Sequence, residues 1–172
     1  MGGAGMALPA VTISEAQAYV RIETGEEEAL LAGLIRTASA LCEAFLGQVV
    51  IARPFTVDVP ASARWQRLET GPVQSIESVE AAGVALPIGS YAVDVDARGD
   101  GWVRVLDAGG ATRVRVSGTA GLAVDENGVP EPIRQGVLRL VAHLFTARDG
   151  DAGEPPAAVT ALWRPYRRMR LA

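Results

Sequence analysis

The sequence predicts an α+β fold: a small bundle of about three to four helices with an inserted antiparallel β-subdomain and an extended C-terminal tail. Three observations support this class. Apolar residues recur at helical spacing in three segments, whereas residues 49–124 alternate with a period of two. A linker rich in Gly, Asp and Pro at 149–156 precedes residues 157–172, which are rich in arginine and aromatic side chains. The helical segments are 14–22, 26–46 and 130–148.

Length and composition limit the number of domains and the available chemistry. At 172 residues the chain has room for one domain, predicted at 11–148 behind a flexible arm at 1–10. Cys42 is the only cysteine and His143 the only histidine. These counts exclude an intrachain disulfide, a cysteine metal cluster and the usual His-based triads. We therefore expect no catalytic residues, no metal site and no cofactor. The start lacks the basic and apolar regions of a signal peptide, which indicates a cytoplasmic origin.

The first two helices have recognisable start and stop signals. Thr12 and Glu15 fit a capping box, and Thr24 and Glu27 repeat the pattern before the second helix. Gly47 is placed to end the second helix. Its predicted core face consists of Leu30, Leu31, Leu34, Ile35, Ala38, Leu41, Cys42 and Phe45.

The opposite flank of the second helix is made of small residues. Ala29, Gly33, Ala40 and Ala44 share a narrow strip, with Arg36 and Glu43 beside it. Small residues allow another helix to approach closely, and in a ring that helix could belong to the next subunit. An ordinary exposed face encoded by GC-rich codons explains the same pattern. Both interpretations stay open from the sequence.

The third helix opens at Pro130, where a proline in the first turn is tolerated. His143 projects from the far side of this helix, near Arg139, and is predicted to be a solvated or interface residue. A ligand role is disfavoured because no second histidine can join it. The predicted core face consists of Ile133, Val137, Leu138, Val141, Leu144 and Phe145.

Strand-like alternation is clearest at residues 112–117, where Arg113 and Arg115 share one face and Val114 and Val116 the other. Residues 97–101 are predicted to form a hairpin turn between two strands.

Asp94, Asp96 and Asp100 form the one acidic cluster that could hold a hard cation. The EF-hand pattern fails there, because Arg98 and Val105 occupy positions that require ligands. Solvated hairpin edges that discourage aggregation are the better explanation.

The basic charge is concentrated in the C-terminal tail. The net charge is −4, and four arginines lie in a tail without acids, so residues 1–155 carry −8. Such a tail is typical of a protein-docking segment, because Trp and Tyr supply rigid anchors and arginine binds carboxylates with two parallel hydrogen bonds. Alternatively, residues 157–163 pack on the chain's own core while 164–172 reach out. The predicted docking residues are Leu162, Trp163, Arg164, Pro165, Tyr166, Arg167, Arg168 and Arg170.

Motifs along nearly the whole chain resemble one family. Phe45-Leu46-Gly47 closes the long helix, and Gly71-Pro72-Val73-Gln74-Ser75-Ile76 and Tyr91-Ala92-Val93-Asp94 enter strands. Val116 to Gly121, the helix at 130–148 and Trp163-Arg164-Pro165-Tyr166-Arg167 follow in order. In this layout the chain resembles the head–tail connector (adaptor) proteins of long-tailed bacteriophages and gene transfer agents.

The resemblance implies a structural protein of the head–tail junction, made in the bacterial cytoplasm. It implies a ring of identical subunits, usually twelve, that docks through its tail on the portal of a DNA-filled capsid. A stopper or tail-terminator protein would bind the opposite end. DNA would pass through the channel without sequence-specific binding, and an acidic body suits that role because it repels phosphate. The interface candidates on the helices are Ala29, Gly33, Arg36, Ala40, Ala44, Arg139 and His143.

Two alternatives remain from the sequence. One is a stopper or tail-completion protein of the same particle, which would bind without residues 157–172. The other is a small β-rich carbohydrate-binding or hydrolase domain built on residues 49–124. This second alternative is disfavoured by the shortage of aromatic residues and of His and Cys.

Overall fold

The computed structural model describes residues 5–22, 27–147 and 154–168. These residues form helices and antiparallel sheets, which confirms the predicted α+β class. The described residues of 52–122 form one compact unit, and those of 6–51 and 123–172 form another. The helices are α1 (Ile13–Val20), α2 (Glu28–Leu46), α3 (Glu131–Thr146) and α4 (Ala157–Trp163). The strands are β1 (Arg53–Pro60), β2 (Gln66–Arg67), β3 (Val73–Ala81), β4 (Val84–Ala85), β5 (Tyr91–Val95), β6 (Gly101–Val105) and β7 (Arg113–Ala120).

The β unit contains two antiparallel sheets. One has the strand order β1-β7-β3-β4, and the other has the order β2-β6-β5. The central strand β7 shows the predicted alternation, because Val114 and Val116 are buried whereas Arg113 and Arg115 are exposed. One face of this sheet is therefore apolar and covered, and the other is polar.

The predicted hairpin at residues 97–101 is confirmed, since β5 pairs with β6 across it. Asp96 builds the turn: its Oδ1 accepts hydrogen bonds from the backbone N–H groups of Arg98 at 2.8 Å and Asp100 at 3.0 Å. Its Oδ2 accepts from the indole N–H of Trp102 at 3.2 Å. Among the residues that the structure describes, no group of three or more His, Cys, Asp or Glu side chains could hold a metal ion.

The start of the helical unit follows the predicted capping box. Thr12 Oγ1 accepts from the backbone N–H of Glu15, and the Glu15 carboxylate accepts from the backbone N–H of Thr12. The arm before it is shorter than predicted. Ala10 is buried, and its N–H donates to the hydroxyl of Ser39 on α2 at 3.2 Å.

The second capping box falls partly outside the described residues, because Thr24 is not among them. Glu27 occupies the N-cap position itself, not the third helical position, and its side chain makes no capping hydrogen bond. Helix α2 therefore begins at Glu28, two residues later than predicted. It ends as predicted at Gly47, whose φ of 65° lies in the left-handed region that glycine adopts without strain.

The core face of α2 is narrower than predicted. Leu31, Ile35, Ala38 and Cys42 are buried as expected, and Ser39 and Leu46 join them. The prediction is wrong for Leu30 and Leu41, which are 40% and 41% exposed. Both leucines lie at the border of the apolar arc, next to exposed Ala29 and Ala40, and stay partly in solvent.

Helix α3 packs against α1, α2 and α4. Ile133, Val137, Leu138 and Val141 are buried as predicted, whereas Leu144 and Phe145 are only half-buried. Two further core positions, Gly136 and Leu140, were not predicted.

Candidate functional site

The C-terminal segment that the sequence singles out is folded onto the helical unit. Helix α4 follows Pro156, and a 3-10 turn over Arg164–Tyr166 follows α4. Pro165 lies inside that turn and prevents the helix from continuing, as the sequence predicts. Of the two open possibilities for 157–163, packing on the chain's own core is the one observed, because Val159 is fully buried.

Trp163 anchors α4 and is a correction to the predicted docking set. Its ring is 1% exposed, and its indole N–H donates to the carbonyl of Ile133 at 3.1 Å. The ring lies directly over Gly136, where an added Cβ would come within 2.1 Å of the indole nitrogen. A buried indole with a satisfied N–H contributes to the core and offers no surface to another protein.

The residues after Trp163 close over the C-terminal end of α2. The backbone N–H of Arg168 donates to the carbonyl of Leu46 at 2.8 Å. The side-chain amide of Gln48 donates to the carbonyl of Tyr166 at 2.7 Å. These bonds satisfy backbone groups that a helix end and an irregular segment otherwise leave open. We call the residues 164–168, held in this way, the C-terminal clasp.

Gln48 was not predicted as a functional residue, although its side chain makes one of the two hydrogen bonds that hold the C-terminal clasp. It is 9% exposed and is one of the few buried polar side chains among the described residues. The available signal was its position directly after the helix-ending Gly47. No local sequence pattern, however, identifies its hydrogen-bond partner Tyr166, which lies 118 residues further along the chain.

Phe45 links α2 to both parts of the C-terminal segment. Its ring centroid lies 5.8 Å from that of Trp163, with the planes tilted by 50°. The guanidinium carbon of Arg167 lies 5.5 Å from the same Phe45 ring centroid. Tilted aromatic pairs and cations over aromatic faces are both stabilising arrangements. Phe45 therefore positions Arg167 at the surface.

The rest of the predicted docking set lies at or near the surface of this clasp. Arg164, Pro165 and Arg167 are exposed, whereas Leu162, Tyr166 and Arg168 are half-buried. Arg170 lies outside the described residues. The structure thus presents two exposed guanidinium groups on a short segment that is fixed at both ends of its turn. Such an arrangement suits a partner that carries carboxylates.

The predicted interface residues divide between two helices. Ala29, Arg36, Ala40 and Ala44 are exposed on α2, and Gly33 is half-buried there. The remaining two lie on α3, where Arg139 is exposed and His143 is half-buried. The strip on α2 is therefore accessible within the helical unit, as an interface requires.

Cys42 is unsuited to nucleophilic chemistry. Its side chain is buried on the core face of α2. Burial raises the pKa of the Cys42 thiol, and the nearby Glu43 carboxylate raises it further. A protonated, inaccessible thiol is a small core residue and not a nucleophile.

An open cavity of about 270 Å³ in the β unit is lined in part by Asp58, Glu80, Arg113 and Arg115. Arg115 Nε donates to Asp58 Oδ1 at 3.1 Å, and this hydrogen bond lowers the pKa of the Asp58 carboxyl group. A carboxylate with a lowered pKa is a weak general base at neutral pH. The cavity therefore gives little support to a hydrolase.

Comparison with solved structures shows that the whole fold occurs in gene transfer agent (GTA) particles. A chain from the "Neck of empty GTA particle computed with C6 symmetry" is 27% identical, with a TM-score of 0.76. A chain from the "Virion of native gene transfer agent (GTA) particle" is 25% identical, with a TM-score of 0.75. A third, from the "Neck of native GTA particle computed with C12 symmetry", is 21% identical with a TM-score of 0.76 and supports the fold alone. Each match covers 100% of this chain and 97% of the other.

No protein-family model matches the sequence, and a comparison with curated proteins gives no match. The structural matches nevertheless span both units and both termini of the chain. The resemblance inferred from the sequence is thus supported at the level of a GTA neck or virion component.

Proposed function

We propose that this chain is a structural adaptor of the head–tail junction in a gene transfer agent or phage-like particle. In this role it forms a ring, docks on the portal of the capsid and continues the DNA channel toward the tail. The observation that carries the proposal is the full-length match to a neck component at 27% identity. A shared fold does not by itself establish function. The ring and the portal contact are therefore argued from the charge and the exposed residues of this chain.

The proposed ring consists of identical subunits, twelve in number. One matched chain, at 27% identity, comes from a neck computed with C6 symmetry, and such symmetry requires repeated copies in that particle. A ring of twelve is compatible with it, because twelve is a multiple of six. A repeated acidic body also suits a DNA channel, since residues 1–155 of each subunit carry a charge of −8. A negatively charged wall lowers the affinity for phosphate and allows DNA to slide.

The proposed contact with the portal is made by the C-terminal clasp and not by a free strand. Trp163 is buried and holds the segment in place, while Arg164 and Arg167 project from it. A segment that is already ordered loses little conformational entropy on binding, which favours affinity. The complementary portal surface should be rich in Asp and Glu, because arginine pairs well with carboxylates.

The experiment that tests this proposal is mass photometry of the full chain mixed with the portal protein of the same particle. The variant Arg164→Glu/Arg167→Glu reverses both exposed charges without touching buried Trp163. Arg64→Glu, at an exposed arginine of the β unit, is the matched control. We expect the wild-type chain and the control to add a multi-subunit mass to the portal, and the double variant to bind at least tenfold more weakly.

Two results would contradict parts of the proposal. If no form binds the portal, the adaptor role fails and a stopper or tail-completion protein becomes the better explanation. Equal portal binding by the double variant and the wild type would retain the adaptor role but remove the clasp as its docking surface.

A further inference from the structure

Within the helical unit, helix α2 exposes an apolar face. Between residues 29 and 44 seven residues are exposed, and only one of them, Arg36, is charged. A helix on the surface of a soluble monomer normally carries charged and polar residues on its outward face. The exposed residues are Ala29, Leu30, Arg36, Thr37, Ala40, Leu41 and Ala44.

The shape of this face, a shallow groove bordered by larger side chains, is suited to packing against another helix. At 100° per residue, the small side chains of Ala40 and Ala44 lie in a shallow groove together with Gly33. The larger side chains of Leu30 and Leu41 stand along one border of it and are each about two-fifths exposed. A groove beside a ridge is the relief that lets a second helix pack closely.

A lipid bilayer is a poor occupant, although α2 is long and apolar enough to cross one. A third of its 18-residue apolar window is buried in the protein, and buried Ser39 is hydrogen-bonded to Ala10 there. A membrane-spanning helix would need lipid or other apolar helices on all sides. The centre of the exposed face is also made of small residues, which offer lipid little apolar area.

We propose that a second copy of this chain covers the outward face of α2 and that this contact joins neighbouring subunits of the ring. The inference rests on the proposed function, because a matched chain at 27% identity occurs in a neck computed with C6 symmetry. A face without strong charge fits a neighbour of the same acidic composition, since it brings no like charges together. In a cyclic ring the contact is heterologous, so the neighbour presents a different surface to this face.

The area of the face sets the strength of the contact. Helix α2 has 19 residues and is therefore about 28 Å long at 1.5 Å per residue. With a width of about 10 Å, its outward face offers roughly 300 Å². A stable interface buries about 800 Å² per partner. The free chain should therefore associate weakly, and the ring should close when a symmetric partner holds several copies together.

Photo-crosslinking identifies the occupant directly. The variant Thr37→p-benzoylphenylalanine places the crosslinker at the centre of the face, and the same change at fully exposed Ile88 in the β unit is the control. The full chain is irradiated at concentrations up to about 1 mM, in the absence of portal, with and without lipid vesicles. We expect the label at position 37, and not the label at position 88, to give covalent dimers. Absence of dimers, or adducts to lipid only, would overturn the proposal.

Sedimentation velocity over the same concentrations supplies a second measurement. Ala40→Glu should abolish the concentration-dependent rise in sedimentation coefficient, whereas Ile88→Glu should keep it. Far-UV circular dichroism establishes that both variants are folded. Equal association of Ala40→Glu and wild type would also overturn the proposal. The two proposals can be tested separately. Self-association through α2 is measured without the portal. Portal binding through the clasp is measured with Ala40→Glu, whose single subunits should still bind the portal.

Discussion

At the scale of single residues, Gly136 and Trp163 form a close contact between α3 and α4. The indole ring occupies the volume that any Cβ at position 136 would need. Periodicity could not reveal this contact, because a glycine has no side chain to count toward an apolar face. The contact is nevertheless what holds the C-terminal segment to α3, since the Trp163 indole N–H bonds to Ile133 one turn earlier.

We predict that Gly136→Ala destabilises the protein by about 1–3 kcal/mol, the usual cost of overpacking a dense core. Gly33→Ala is the matched control: it is also a helical glycine, but the nearest atom to an added Cβ is Arg36 Nη2 at 3.9 Å. The control should gain up to about 1 kcal/mol from improved helix propensity. Urea unfolding measures both. Equal effects at the two glycines would contradict the assigned contact.

The Cys42 thiol gives a second prediction at this scale. Burial raises its pKa in the folded state above that of the unfolded chain, so the thiol stays protonated when folded. Its contribution to stability is complete below the unfolded pKa and decreases as pH rises above about 8.5. Ellman's reagent should therefore react with urea-unfolded protein and not with native protein at pH 8. Rapid reaction of the native protein would contradict the burial of Cys42.

At the scale of elements, the C-terminal clasp joins the end of α2 to the end of the chain. Gly47 and Pro165 end their helices as the sequence predicts, because their conformational preferences are local. The bonds from Gln48 to Tyr166 and from Arg168 to Leu46 are long-range, and no local preference specifies them. This is why the sequence left open whether residues 157–163 pack and predicted that 164–172 reach out, whereas the described residues 157–168 are packed.

Gln48→Ala should loosen the clasp by leaving the Tyr166 carbonyl without that hydrogen bond, at a cost of about 1–3 kcal/mol. Limited trypsin digestion measures the result, since Arg167 and Arg168 become cleavage sites when the segment opens. We expect faster release of the C-terminal peptide than in the wild type. Gln135→Ala is the control, because its amide donates to Glu131 within α3 and this bond lies outside the clasp. Unchanged cleavage in Gln48→Ala would show that the clasp does not depend on this bond.

At the scale of the whole molecule, α4 contributes buried residues to the helical unit and leads directly into the C-terminal clasp, the proposed docking surface. It packs against α3, and Val159 and Trp163 are its buried residues. Removing the tail to test docking would therefore also remove part of the core. The charge-reversal variant separates the two roles, which a deletion does not.

We predict that a chain ending at Pro156 loses about 3–5 kcal/mol of stability, comparable to truncating a buried tryptophan. A chain ending at Arg168 retains α4 and the bond from Arg168 to Leu46, so its Tm should be well above that of the Pro156-terminated chain. Differential scanning calorimetry distinguishes the two. A Pro156-terminated chain as stable as the wild type would show that α4 contributes little to the helical unit.

The sequence by itself determined the α+β class, the alternation in β7, the Thr12–Glu15 capping box and the helix end at Gly47. Each depends on the period of apolar residues or on the backbone preference of one residue, and both are local. Only the tertiary structure decided that Leu30 and Leu41 stay exposed, that Trp163 is internal, and that Gln48 holds Tyr166. Those outcomes depend on which helix covers which arc, and burial is a property of the neighbours that the folded chain brings together.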